Sequence, residues 1–128
     1  MDLYATRIDR DHHRVVTTWG ARVTDAALMT YQQTVWRDPS LKGFDELIDF
    51  RALAEIEVTT EGLEGVAHVA AGMDAEIGQS RFAIVVSDSL SFGLSRMYEA
   101  LREVSGKSSR KVMIFQRMEE ALAWLDGR

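Results

Sequence analysis

The sequence predicts an α/β domain with a five-stranded mixed sheet and four helices, in the order ββαβαβαβα. Three observations carry that expectation. Two strand-like segments at the start are joined by a short polar stretch, which favours an antiparallel hairpin. From residue 24 onward, strand-like runs alternate with segments of helical periodicity, which calls for parallel strands linked by right-handed crossovers. Finally, the run Phe82 to Val86 is wholly apolar, as suits a central strand buried on both faces.

Each element has its own signal. Tyr4 to Ile8 reads as the first strand and Asp9 to His13 as a turn. Arg14 to Trp19, rich in β-branched residues, reads as the second strand, ended by Gly20. Thr24 is placed to cap a helix with Asp25 in its first turn, and Leu28, Tyr31 and Val35 recur on one face. Asp38-Pro39 ends that helix, because the residue before proline avoids the α region. Phe44 to Phe50 is the third strand. Thr59 or Thr60 caps the second helix, whose inner face is Leu63, Val66, Ala67, Ala70, Met73 and Ile77. Arg81 to Ser87 is the fourth strand. Ser89 or Ser91 caps the third helix, with Leu94, Met97, Tyr98 and Leu101 as its stripe and Gly106 as its terminator. Lys111 to Phe115 is the last strand. Glu119 and Glu120 open the last helix, which turns Met118, Ala121, Leu122 and Leu125 inward and ends at Gly127.

Composition bounds the function. At 128 residues and 14.4 kDa the chain has room for one domain, spanning 1–128. The 15 Lys and Arg against 20 Asp and Glu give a net charge of −5, which argues against nucleic acid or an anionic membrane surface as the main partner. With no cysteine there is no disulfide, thiol nucleophile or thiolate metal site. No apolar run is long enough for stable membrane insertion, and no signal peptide is visible, so the expected location is cytoplasmic. No P-loop or dinucleotide fingerprint occurs, and no cofactor is expected.

The hairpin-first order resembles the STAS-domain family, in its SpoIIAA-like branch of small stand-alone bacterial proteins. The resemblance rests on Leu47-Ile48-Asp49-Phe50-Arg51-Ala52-Leu53 and Gly93-Leu94-Ser95-Arg96-Met97-Tyr98-Glu99. Val112 to Phe115 and Glu120-Ala121-Leu122-Ala123-Trp124-Leu125 extend it over nearly the full chain. It implies a non-catalytic regulatory or protein-interaction module that works through the surface around the second helix N-terminus. A homodimer formed through a helix face or sheet edge is a further expectation. Anti-sigma factor antagonists of this family carry a phosphorylatable serine in an Asp-Ser-Ser-Gly-Leu-like stretch. Here the corresponding stretch is Glu57-Val58-Thr59-Thr60-Glu61-Gly62-Leu63, which lacks that motif but keeps hydroxyls at a helix start. STAS-like folds also resemble the lipid-binding CRAL-TRIO domain in part of their layout, which implies an alternative: binding of a small amphipathic or anionic ligand.

The residues that bear on either function gather where the parallel strands end. Asp49 and Arg51 follow the third strand, and Ser87, Ser89 and Ser91 follow the fourth beside Asp88, with Thr59 and Thr60 near them. Ligands of open α/β sheets bind beyond the strands' carboxyl ends, where helix N-termini favour anions. The simpler reading is that the hydroxyls cap helices while Asp49 pairs with Arg51. Phosphate on Thr59 or Thr60 would lie beside Glu57, Glu61 and Glu64 and repel or release a partner. His12, His13 and His68 read as solvated, and no Gly-x-Ser-x-Gly elbow supports a nucleophilic serine. Trp19, Trp36, Phe92, Tyr98 and Trp124 read as core, with Trp36 the aromatic to watch for exposure. Arg102, Lys107, Arg110 and Lys111 read as a solvated basic spot.

Overall fold

The computed structural model describes residues 3–104 and 110–127. Gly106 and Lys107 lie outside the described residues.

Strands β1 (Tyr4–Asp9) and β2 (Arg14–Trp19) form the expected antiparallel hairpin, with Tyr4 opposite Trp19 and Asp9 opposite Arg14. His13 closes the turn with φ 52°, a left-handed backbone conformation. Strand β4 (Asp45–Asp49) lies parallel to β2, β6 (Ser80–Val85) parallel to β4, and β7 (Arg110–Phe115) parallel to β6. The order across this five-stranded mixed sheet is β1-β2-β4-β6-β7, the order of the chain. Two short strands had no signal in the sequence. β3 (Arg22–Thr24) and β5 (Glu55–Glu57) pair in parallel as a separate ribbon. At three residues each, they are too short to show a period of their own.

The four helices are α1 (Asp25–Val35), α2 (Thr60–Ile77), α3 (Ser89–Val104) and α4 (Met118–Asp126). Alternation along the strands decides which helix covers which face. Val15, Trp19, Ile48, Phe82 and Ile84 face α1, α2 and α3, meeting Tyr31, Trp36, Leu63, Val66, Ala67 and Tyr98 in the larger core. Leu47, Ala83 and Val85 face the other way, onto Ala121 and Leu125 of α4. Crossovers of one hand that all step in the same direction along a sheet place their helices on one face, which accounts for three helices on one side.

Caps follow the sequence with one correction. Thr24 caps α1 through Ala27 N–H (3.1 Å), and Thr59 caps α2 through Gly62 N–H (3.0 Å). The α3 cap, expected at Ser89 or Ser91, is Asp88: its carboxylate accepts from Ser91 N–H (2.8 Å) and Ser91 Oγ (2.7 Å). A charged acceptor serves the helix N-terminus better than a neutral one. Gly43 and Gly78, both at φ 83°, stand where the chain turns into β4 and β6, and only glycine adopts that conformation without strain.

Phe92, read as core, is instead 37% exposed, because it falls about a quarter turn off the buried stripe of α3. Trp36, the aromatic to watch for exposure, is buried as the core reading expects, 3% exposed, with the Arg110 guanidinium 4.1 Å from its ring centre. Arg102 and Arg110 are not solvated. They are 3% and 6% exposed and hold buried carboxylates, whereas Lys111 of the same expected spot is exposed.

Candidate functional site

The residues expected at the strands' carboxyl ends are present there as small, self-contained pairs. Arg51 grips Asp49 through Nε (3.0 Å), Nη2 (2.9 Å) and its own backbone N–H (3.0 Å). Burial alone would raise the Asp49 carboxyl, but the Arg51 hydrogen bonds and charge outweigh it and hold it below the ordinary carboxylate range. Ser87 Oγ donates to the Arg51 carbonyl (3.1 Å), so Asp49, Arg51 and Ser87 form one group. Ser91 is bound to Asp88, whose carboxyl is lowered first by the Ser91 backbone N–H. Ser89 is exposed beside it.

Thr59 is tied elsewhere. Its N–H (3.0 Å) and its hydroxyl (2.7 Å) both donate to the Asp25 carboxylate, in the first turn of α1, while the same hydroxyl accepts from Gly62 N–H. One carboxylate thus joins the N-termini of two helices. Gly62 makes room for it: a Cβ at that position would lie 2.1 Å from Asp25 Cγ. The Thr59 hydroxyl is therefore occupied as donor and acceptor, whereas Thr60 is exposed.

Between the sheet and α1, α2 and α3 lies an apolar cleft. Its sheet wall includes Ile48, Phe82 and Ile84, and its helix wall includes Leu28, Leu63, Val66 and Leu94. The segment Phe50 to Val58, which follows β4, adds the partly buried Phe50, Leu53, Ile56 and Val58. The free space within the cleft is about 80 Å³. That is well below the several hundred Å³ that enclose a drug-sized molecule, so it admits a small body or the end of a longer one. Of the expected rim residues only Ser91 lines it.

The strand order explains why the site lies under the helices rather than in a crevice at the sheet edge. Open α/β sheets form their crevice where strand order reverses. Here the order never reverses, so the unfilled space is left between sheet and helix layer.

At the end of the cleft nearer the strands' amino termini lies a buried polar chain that sequence reasoning missed. Glu46, 2% exposed, accepts from Tyr31 OH (2.6 Å) through Oε2 and from Arg110 Nη1 through Oε1. Tyr31 OH in turn accepts from Thr17 Oγ1 (3.1 Å). Arg110 also donates to Ser80 Oγ (2.8 Å) and to the Phe44 carbonyl (2.8 Å). Burial lifts the Tyr31 phenol well above its ordinary range, and the Glu46 carboxylate pushes it the same way. A second pair lies across α2 and α3: Arg102 Nη2 meets both Asp74 oxygens (2.5 and 2.6 Å), and its Nη1 donates to Tyr98 OH (2.7 Å). Burial would lower the Arg102 guanidinium, but Tyr98 and Asp74 reverse it and the net direction is up.

The histidines stand apart from the cleft. His12 pairs with Asp9 (2.9 Å), His13 stacks on Phe44, and His68 is exposed on α2. Among the described residues no group of His, Asp or Glu has metal-holding geometry, and no helix is long and apolar enough to cross a membrane. No family model matches the chain, and no curated protein matches it at a significant level.

Proposed function

We propose that this chain is a non-catalytic binding protein of SpoIIAA/STAS-like architecture, whose cleft receives the apolar part of a small amphipathic ligand. The observation that carries the reading is the cleft itself. Its apolar walls, from Ile48 and Ile84 to Leu63 and Leu94, line free space between the sheet and the helix layer. Protein interiors leave few voids larger than a water molecule, so a lined cavity in a small domain is a candidate for use. The hairpin-first order and the mixed sheet support the family reading.

The test is a methyl NMR titration with a medium-chain alkyl amphiphile. The Leu63, Leu94, Ile48 and Ile84 methyls shift together, and Leu94→Trp, which fills the cleft, abolishes the shifts while the fold persists. Shifts confined to residues outside the cleft would end the ligand reading.

A second reading, a regulatory module that docks a protein or a second copy of itself, is favoured by one observation. Leu90 and Phe92 are 58% and 37% exposed in the first turn of α3, beside Ser89. The two flank the buried stripe of α3 on either side, and exposed apolar residues at a helix start suit a partner contact. Replacing both by Lys abolishes self-association measured by sedimentation velocity if this reading holds. A monomer in both proteins removes the homodimer.

A further inference from the structure

Inside the apolar cleft two polar groups lack a protein partner. Ser95, 6% exposed, lines the cleft from α3, and among the described residues its hydroxyl makes no hydrogen bond. Gln32, also 6% exposed, lines it from α1. Its Nε2 has only the Met73 sulfur at 3.7 Å, and its carbonyl oxygen has no donor among the described residues. Both groups remain reachable from the cleft, so a hydrogen-bonding guest can take the place of water at each.

The charge of that guest is decided by what lies next to them. Glu46 and Tyr31 line the same cavity, and their hydrogen bonds are directed at each other, at Arg110 and at Thr17. The Arg110 guanidinium is committed to Glu46, Ser80 and the Phe44 carbonyl. The cavity therefore presents a carboxylate and no cation directed into it, and a second anion placed there would be repelled and unpaired.

We infer that the cleft selects a ligand whose inserted end carries a neutral hydroxyl on an alkyl body, donating to the Gln32 carbonyl and accepting from the Ser95 hydroxyl. This rests on the reading of the cleft as a ligand site and narrows it: any anionic group of the ligand stays outside.

The experiment compares octanol, octanoate and octyl methyl ether on the full chain at neutral pH, with dissociation constants read by calorimetry and methyl NMR. Octanol binds at least about tenfold more tightly than octanoate, the scale of one well-made buried hydrogen bond. Ser95→Ala and Gln32→Leu each weaken octanol about tenfold; the ether, which accepts but cannot donate, is weakened by Ser95→Ala and stays within about twofold in Gln32→Leu. Thermal unfolding of each variant verifies that it folds. Octanoate binding as tightly as octanol, or octanol affinity unchanged in both variants, overturns the hydroxyl reading alone. Failure of all three probes to bind overturns it together with the ligand site.

Discussion

The two ends of the parallel strands use the same residue types for opposite purposes. At the carboxyl ends, Asp49 with Arg51 and Asp88 with Ser91 are bound within two or three residues of sequence, and all but Ser91 are reached by water. At the amino ends, Glu46 with Arg110 and Asp74 with Arg102 join residues far apart in the chain, all nearly inaccessible. A local exposed pair satisfies itself and constrains little beyond its own turn. A buried distant pair fixes how whole elements meet, because neither charge can be left alone in the core. The molecule thus has a stiff polar end under the cleft and a replaceable polar end at the rim.

The comparison can be broken most forcefully at Arg110. Arg110→Ala leaves Glu46 buried and uncompensated and costs roughly 3–5 kcal/mol, read as a lower urea midpoint. Replacing Glu46 and Arg110 together by Leu and Met recovers most of that loss. If the single variant costs no more than a rim variant, the stiff end is not what holds the strands in place.

The Asp25 junction comes next. Gly62→Ala forces the Asp25 carboxylate off Thr59 and destabilises by about 1 kcal/mol, even though alanine is the better helix former. In an Asp25→Ala background the same change turns neutral or stabilising. Absence of that reversal in the double-mutant cycle would show that Gly62 is not reserved for Asp25. Thr59→Ala removes the α2 cap and costs about 1 kcal/mol.

The smallest effect belongs to Arg51→Ala, a few tenths of a kcal/mol by order of magnitude, since the guanidinium is largely in water. Its signature is pH dependence. The Asp49 carboxyl is held below its ordinary range, so its share of stability is present above about pH 4 and lost as pH falls through the folded-state value. Arg51→Ala narrows the stability gap between neutral and acidic solution and leaves the alkaline side unchanged. The alkaline side answers to Tyr98 and, more strongly, to Tyr31. Burial raises its phenol, so stability is full below about pH 10 and declines as pH rises beyond it. Phenolate absorbance reports Tyr31 only as the chain unfolds.

Much of the fold was legible in the sequence because it is written in period and punctuation. The hairpin, the apolar Phe82–Val86 run and the caps at Thr24 and Thr59 are local signals, and local physics formed them. The buried charges were written less plainly, but they were written. Asp74 falls on the α2 stripe with Val66, Ala67 and Ala70, and Arg102 on the α3 stripe with Ser91, Ser95 and Tyr98. Opposite charges at inward positions of two helices, and a glutamate in the middle of the third strand, were the available signs of ion pairs. Reading Arg110 as part of a basic spot failed for a physical reason: its partner Glu46 is 64 residues away, so sequence neighbours describe nothing of its surroundings. An apolar pocket between sheet and helices was expected from the ligand-binding resemblance alone; its size and lining were illegible, since a void belongs to the fit between layers and to no residue.

Because the main sheet runs in chain order, with nothing threaded back between earlier strands, its assembly is compatible with the direction of synthesis. A nascent polypeptide can close the first hairpin, then add each following unit to a border that is already complete. No gap must be kept open for a latecomer.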